Sequence, residues 1–229
     1  MSIKSKMCAV TAALTVVGGV AAVETFSASA ATPACGPGCI SIFSRDLGTY
    51  AQPGPVEATL NGVVQVGQPV ILKAPASASD ASQDEIPHRR PVADWYADGM
   101  VSAAVNAHYG SLPGVQIESA PYGVPSGLCV ALASTAYQNE ALTLQPCNVP
   151  NLTVWILDFP ASASTAPAWF PIVNASTPDF ERPFAMSLKE DEIVSDHQLL
   201  HIRARHLQFL TNDKTLPDSQ LWGAHFGQF

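Results

Sequence analysis

The stretch whose reading decides the fold is Gly127-Leu128-Cys129-Val130-Ala131-Leu132, followed by Leu142-Thr143-Leu144-Gln145-Pro146-Cys147 and then Thr153-Val154-Trp155. Short apolar runs separated by turn residues, here with Asn139 ahead of the second run, are what a pair of β-strands looks like. Leu142 and Leu144 alternate with Thr143 and Gln145, which gives that strand one buried and one exposed face. A cysteine stands in each run, and an indole follows both.

The same arrangement occurs upstream without a gap. Adding 72 to each number places Val56–Leu72 on Leu128–Leu144, so that Leu60 meets Leu132, Val70 meets Leu142 and Leu72 meets Leu144. Both segments pass through a Gly or Asn turn, at Gly67 and Asn139, and each is followed by a tryptophan, Trp95 in the first case and Trp155 in the second. A third tryptophan, Trp222, comes after the apolar runs Phe184–Leu188 and Leu199–Ile202. Three units, each closing on a buried indole (Trp95, Trp155, Trp222), predict a pseudo-threefold all-β body. The competing reading is coincidence among short apolar runs, because any one periodic match is weak.

Gly (15) and Pro (19) punctuate the chain so often that short strands and turns are expected nearly everywhere. Asp94–Gly110 is the exception. There Met100, Val101, Ala104, Val105 and His108 fall at helical spacing, and Gly110 is placed to end the helix, which predicts one helix inserted between the first two units. Ala74–Asp84 and Ala161–Pro167 are small-residue stretches that read as surface loops.

The segment from Gly127 to Trp155 resembles one repeat of a ricin-type β-trefoil lectin, a family in which two half-cystines brace a repeat and a Gln-x-Trp element supplies its buried indole. The literal tripeptide stands at Gln220-Leu221-Trp222. The resemblance is fair there, faint over Val56–Trp95, and touches about half of the chain beyond the N-terminal segment. It implies a β-trefoil-like barrel. In that family sugar binding rests on a carboxylate just after the first cysteine and on an aromatic ring that stacks on the sugar. Here Ala131 and Gln145 occupy those positions in the second unit, Thr59 and Lys73 in the first, and Thr153 replaces the Gln before the tryptophan. Without an acceptor or a stacking platform, charge-assisted hydrogen bonds and apolar contact are lost together. The resemblance therefore carries over the scaffold and not the sugar site.

The N-terminus has the three parts of an export signal: Lys4 and Lys6, an apolar stretch from Met7 to Val23, and the small residues Ser27–Ala31. Cleavage near Ala30 or Ala31 is expected, dividing the chain into a signal over residues 1–31 and one domain over 32–229. An uncleaved anchor is disfavoured because the stretch is short of the ~20 residues of a span and holds Gly18-Gly19. No other stretch is long and apolar enough to cross a bilayer as a helix, so the mature protein is expected to be secreted and soluble. The Ala-rich signal and the closing run Gln220–Gly223 also resemble the small exported proteins of high-GC Gram-positive bacteria. Formal net charge is −8, which repels phosphate backbones, and no polybasic patch offers adsorption to an anionic membrane. Neither nucleic acid nor a membrane is expected as partner, and no cofactor is implied.

Cys8 would leave with the signal, and Cys35, Cys39, Cys129 and Cys147 would remain in an oxidising compartment. Local spacing suggests the pairs Cys35–Cys39 and Cys129–Cys147 among the three pairings that four cysteines allow. A metal site is not expected from them, since no C-x-x-C spacing or adjacent histidine is present.

His197, His201 and His206, with Asp196, Arg203 and Arg205, form the densest ionisable cluster. As a helix it would put His197 and His201 on one face, fit to hold a metal. As a strand it puts Leu200, Ile202 and Ala204 inward, and the alternation favours the strand. No nucleophile elbow, zinc-protease motif or phosphate loop occurs, so no catalytic residue is assigned. Glu118, Asp158 and Asp179 are isolated enough to be candidates for a glycosidase-like acid pair, which needs only spatial proximity, but they read first as ordinary surface acids. Asn151-Leu152-Thr153 and Asn174-Ala175-Ser176 match the N-glycosylation pattern and read as chance matches in loops.

The resulting expectation is a secreted, non-catalytic binding or interaction module for an unidentified extracellular ligand or protein, with its ligand held by loops. A carbohydrate-binding lectin, a hydrolase with an unrecognised acid pair, and a protease inhibitor presenting Pro53-Gly54-Pro55 are the alternatives.

Overall fold

A computed structural model of the chain describes residues 38–47, 56–74, 81–161, 169–188, 200–208 and 215–226. The signal expected over 1–31, Cys35, the loop Pro53–Pro55 and the pair Asp196 and His197 lie outside them.

Among the described residues, fourteen strands fall into three successive units. The first holds β1 (Ile40–Ser44), β2 (Val56–Thr59), β3 (Val70–Lys73) and β4 (Glu85–Pro91). After two short helices come β5 (Pro113–Ser119), β6 (Leu128–Ala131), β7 (Glu140–Ala141), β8 (Thr143–Pro146) and β9 (Trp155–Leu157). The third holds β10 (Ile172–Asn174), β11 (Phe184–Ser187), β12 (Leu200–His201), β13 (Arg203–His206) and β14 (Trp222–Phe226).

The first and last strands of each unit make a barrel wall. β1 pairs with β14 from Ile40↔Phe226 to Ser44↔Trp222, and β5 pairs with both β4 and β9, which in turn pairs with β10. Phe170 and Trp222 bridge β10's neighbourhood to β14, exchanging both backbone hydrogen bonds at 3.1 and 2.9 Å. The inner strands form three hairpins, β2–β3, β6–β8 and β11–β13.

Those hairpins meet around an approximate threefold axis. Val70 N–H donates to Leu142 O (2.9 Å), Leu142 N–H to Ile202 O (2.9 Å), and Ile202 N–H to Val70 O (3.3 Å). Each member is fully buried, so its backbone polar groups must find partners inside the protein, and the ring supplies them. Leu142 separates β7 from β8 and Ile202 separates β12 from β13, because the residue that turns its N–H to the axis leaves the ladder. The 72-residue offset had placed Val70 on Leu142; the ring adds Ile202.

Alternation along the wall strands builds two apolar layers. Trp155 and Leu157 point into a central cluster with Ile42, Val130, Leu144, Met186 and Trp222, while Val154 and Ile156 point into a second cluster with Phe43, Val92, Trp95, Val105 and Val173. β9 is thus apolar on both faces, and the second face needs a cover, which the insert provides.

That insert is not the one continuous helix expected over Asp94–Gly110. α1 (Val92–Ala97) and α2 (Ala103–Tyr109) are separated at Gly99, whose φ of +74° is left-handed, and Ser102 starts the second helix by accepting from Val105 N–H at 3.2 Å. The apolar spacing runs across the break because Met100 and Val101 pack from the turn.

Cys129 and Cys147 form a disulfide joining β6 to the end of β8, with Cα atoms 4.9 Å apart. Cys39 is also disulfide-bonded, and Cys35, its expected partner, is outside the described residues. Among the described residues no helix is long and apolar enough to cross a membrane.

Candidate functional site

The positions that would bind sugar in the resembled family are occupied as the sequence implied and lie largely inside. Ala131 is buried, the register sets Ala58, also buried, in its place in unit one where the sequence offset had put Thr59, Thr153 is fully buried with its hydroxyl donating to Val149 O and Cys147 O, and Gln145 turns its amide onto Thr143 Oγ1. The register puts Arg205 of β13 at the place of Gln145, and its guanidinium donates to Leu188 O. None of these positions presents a carboxylate or a ring.

The three acids singled out do not form one pair. Glu118 lies on β5, facing β4. Asp158 and Asp179 both act on the Tyr109 hydroxyl, which burial and then these two carboxylates push far above its ordinary value. Burial raises Asp158 as well, against a hydrogen bond from Ala161 N–H and the nearby His108. Asp179 is exposed and caps its own turn, accepting from Glu181 N–H and Arg182 N–H at 2.9 and 3.2 Å. In the basic cluster, Ile202 and Ala204 are buried and Arg203 and Arg205 half-buried, as the strand reading requires, and His206 stacks on Phe184 with ring centroids 3.8 Å apart. Among the described residues no group of His, Cys, Asp and Glu is arranged to hold a metal. Asn174 is fully buried and donates from Nδ2 to Leu152 O, so that nitrogen is not open to a glycan in the folded chain.

Two depressions are formed by the described residues alone. The smaller, of about 340 Å³, is neutral and is lined by Ser102, Thr135, Asn151, Ser176 and Thr177. The larger is an open hollow of about 600 Å³ where α1 meets the β4–β5 ribbon, lined by Pro87, His88, Arg89, Arg90, Trp95 and Gln116.

The larger hollow is built by its sequence. Among the described residues β4 forms a ladder with β5 alone, and an edge strand is where Pro87 and Pro91, lacking an N–H, are tolerated. Register sets His88 opposite Gln116 and Arg90 opposite Gly114. Gly114 has no Cβ, and one built there would stand 2.8 Å from Trp95 Cδ1, so the glycine is what lets the indole of α1 lie on the sheet. Arg90 then stacks its guanidinium 3.7 Å above that ring and pairs with Asp98.

On the other side, Glu118 is nearly buried and takes a hydrogen bond from Gly127 N–H on one oxygen and contacts His88 Nε2 with the other, both at 2.6 Å. Gln116 donates to Cys147 O (2.6 Å) and Thr153 Oγ1 (2.8 Å), tying the floor to the disulfide-braced hairpin. Arg89 is exposed and makes no ion pair among the described residues. Among the described residues the hollow therefore has fixed walls and, in Arg89, a cation without an ion pair.

Sequence reasoning passed over His88, Arg89 and Arg90. The signal was present in Pro87-His88-Arg89-Arg90-Pro91, a proline-bracketed cationic run in a chain of net charge −8.

Comparison with solved structures finds a designed threefold-symmetric protein, ThreeFoil, with a TM-score of 0.51 at 9% identity, covering 82% of this chain and 97% of that one. The fold is a β-trefoil. At that identity the likeness speaks for the arrangement of three units about an axis and for nothing in the hollow. No family model matches the chain, and no curated protein matches it. Relative to the symmetric trefoil frame, the α1–α2 insert between units one and two is the addition that creates the larger hollow.

Proposed function

We propose that this chain is a secreted, non-catalytic binding module that takes an anionic group of an extracellular ligand into the hollow between α1, β4 and β5. The observation that carries this reading is Arg89, exposed and without an ion pair among the described residues, beside the fixed side chains of Arg90, His88 and Gln116. A guanidinium offers a carboxylate or sulfate two parallel hydrogen bonds, and walls already tied by Glu118, Asp98 and Cys147 O lose little freedom when a ligand arrives. A volume of about 600 Å³ lies within the range of small-ligand sites. Export is supported by the N-terminal signal pattern and by the Cys129–Cys147 disulfide, which persists in oxidising compartments.

A glycan array carrying uronic-acid, sulfated and neutral sugars, probed with and without calcium, tests this reading. Binding confined to acidic glycans and weakened at least tenfold in Arg89→Ala is expected. Binding to neutral sugars that Arg89→Ala leaves intact would count against it.

A hydrolase is the second reading, favoured by one contact: a buried carboxylate orienting a half-exposed imidazole, as Glu118 does for His88, is the arrangement a general base needs. Turnover of any ester or glycoside that disappears in His88→Gln would replace the binding proposal with this one.

A further inference from the structure

In units two and three the strand that closes the unit begins with tryptophan. Trp155 Nε1 donates to Val130 O at 2.7 Å and Trp222 Nε1 to Met186 O at 2.8 Å. Register defines the acceptor: Val130 faces Leu144 and Met186 faces Ala204, each two residues beyond the ring members Leu142 and Ile202. In unit one the residue facing Leu72, two beyond Val70, is Glu57, and the closing strand β4 begins with Glu85.

A second equivalence fixes the match independently. Gln220, two residues before Trp222, donates to His206 O at 2.9 Å, and Gln83, two residues before Glu85, donates to Ala74 O at 2.8 Å. His206 and Ala74 hold the same register, two beyond Ala204 and Leu72. Unit one thus reads Gln-x-Glu where unit three reads Gln-x-Trp, and a pair of carboxyl groups stands where an indole and the apolar side chain of Val130 or Met186 stand in the other two.

Both carboxyls are out of water. Glu57 is 1% exposed and Glu85 2%, and neither oxygen of Glu57 has a hydrogen-bond partner. An unpaired carboxylate in such a place is far costlier than the neutral acid. Burial lifts Glu57 to about 8, and burial, then Glu57, then Asp84 lift Glu85 well above the carboxylate range. The elements packed around the pair add Lys73 at the end of β3, Asp84 with its Oδ2 accepting from Tyr122 N–H, and Glu118 on β5, already engaged by His88 and Gly127. Arg45, beyond β1, pairs with Asp218.

We propose that Glu57 and Glu85 make unit one a proton-operated clasp, letting β4 stay closed while both buried side chains are neutral and loosening β4 when a proton is lost, with units two and three kept shut by their indoles. β4 is the strand that yields because, among the described residues, it forms a hydrogen-bonded ladder with β5 alone. The clasp does not depend on what the hollow binds, although the released strand is the one that carries His88, Arg89 and Arg90.

The sign follows from linkage. The folded chain holds its protons more tightly than the unfolded chain, so the stabilisation is complete below the ordinary carboxylate value of 4.5 and is lost as pH rises towards about 8. Over that window each titrating group raises the unfolding constant about tenfold per pH unit.

The test is thermal and urea unfolding of the full disulfide-bonded chain from about pH 5 to about pH 9, beside Glu57→Gln and the double variant Glu57→Val with Glu85→Trp, which rebuilds the arrangement of unit two. Wild type should lose stability across the window, Glu57→Gln should lose about half of that slope, since burial still raises Glu85, and the double variant should lose most of it. Hydrogen exchange on the same samples should show protection falling first in β2 and β4 and staying in β9 and β14. A wild-type midpoint that is flat with pH, or protection falling equally in all three units, would overturn the clasp. Should the variants fail to fold, infrared spectroscopy of the wild type decides: a protonated carboxyl band persisting at neutral pH is expected, and its absence sinks the idea.

Discussion

Leu142 N–H lies 2.9 Å from Ile202 O, and this bond, repeated from Val70 to Leu142 and from Ile202 to Val70, ties three hairpins that are remote in sequence into one ring. The ring works only if all three side chains at its corners are apolar and fill the axis, and all three are fully buried.

Shortening a corner should therefore cost more than an ordinary core change. Leu142→Ala is expected to destabilise the chain by about 2–5 kcal/mol, the range for an excavated buried leucine that cannot collapse. Urea unfolding followed by Trp fluorescence measures it. A loss under about 1 kcal/mol would mean the axis repacks freely.

The Cys129–Cys147 bridge closes a loop of 18 residues' separation. In the chain-entropy model this is worth roughly 3 kcal/mol. The double variant Cys129→Ser with Cys147→Ser should lose stability of that order and show increased exchange in β6 and β8. Mass spectrometry of the non-reduced wild type should recover the two cysteines in one cross-linked peptide; free thiols at both would contradict the bracing of this hairpin.

Gly114→Ala places a methyl group against Trp95. A clash of this kind costs about 1–3 kcal/mol when neighbours must shift, and here it should lift the indole off β5 and open the hollow. Near-ultraviolet circular dichroism should change at the tryptophan bands, with Arg90 losing its stacking platform. An unchanged spectrum would show that α1 can slide without moving the ring.

The parts of this fold legible in the sequence were those written locally. Cys129, Cys147 and Trp155 fall within one unit at fixed spacing, so the brace and its indole were readable, as was the correspondence of Val70 with Leu142. The offset slips by one on β2, however, because the turn after it is one residue longer than the turn after β6, and the register sets Glu57 rather than Ala58 at the place of Val130. Trp95 filled the expected third position only because an indole was sought there; it is buried, but on α1 and against Gly114, while Glu85 occupies the true place. His88 and Glu118 were invisible as a pair because 30 residues and an inserted helix pair separate them, and only the β4–β5 register joins them.

β1 and β14 zip together over five residue pairs, from Ile40↔Phe226 to Ser44↔Trp222. A polypeptide made from its N-terminus cannot close that seam until β14 has been synthesised. Until then one flank of β1 has no strand beside it, so closure of the wall waits on two segments remote in sequence.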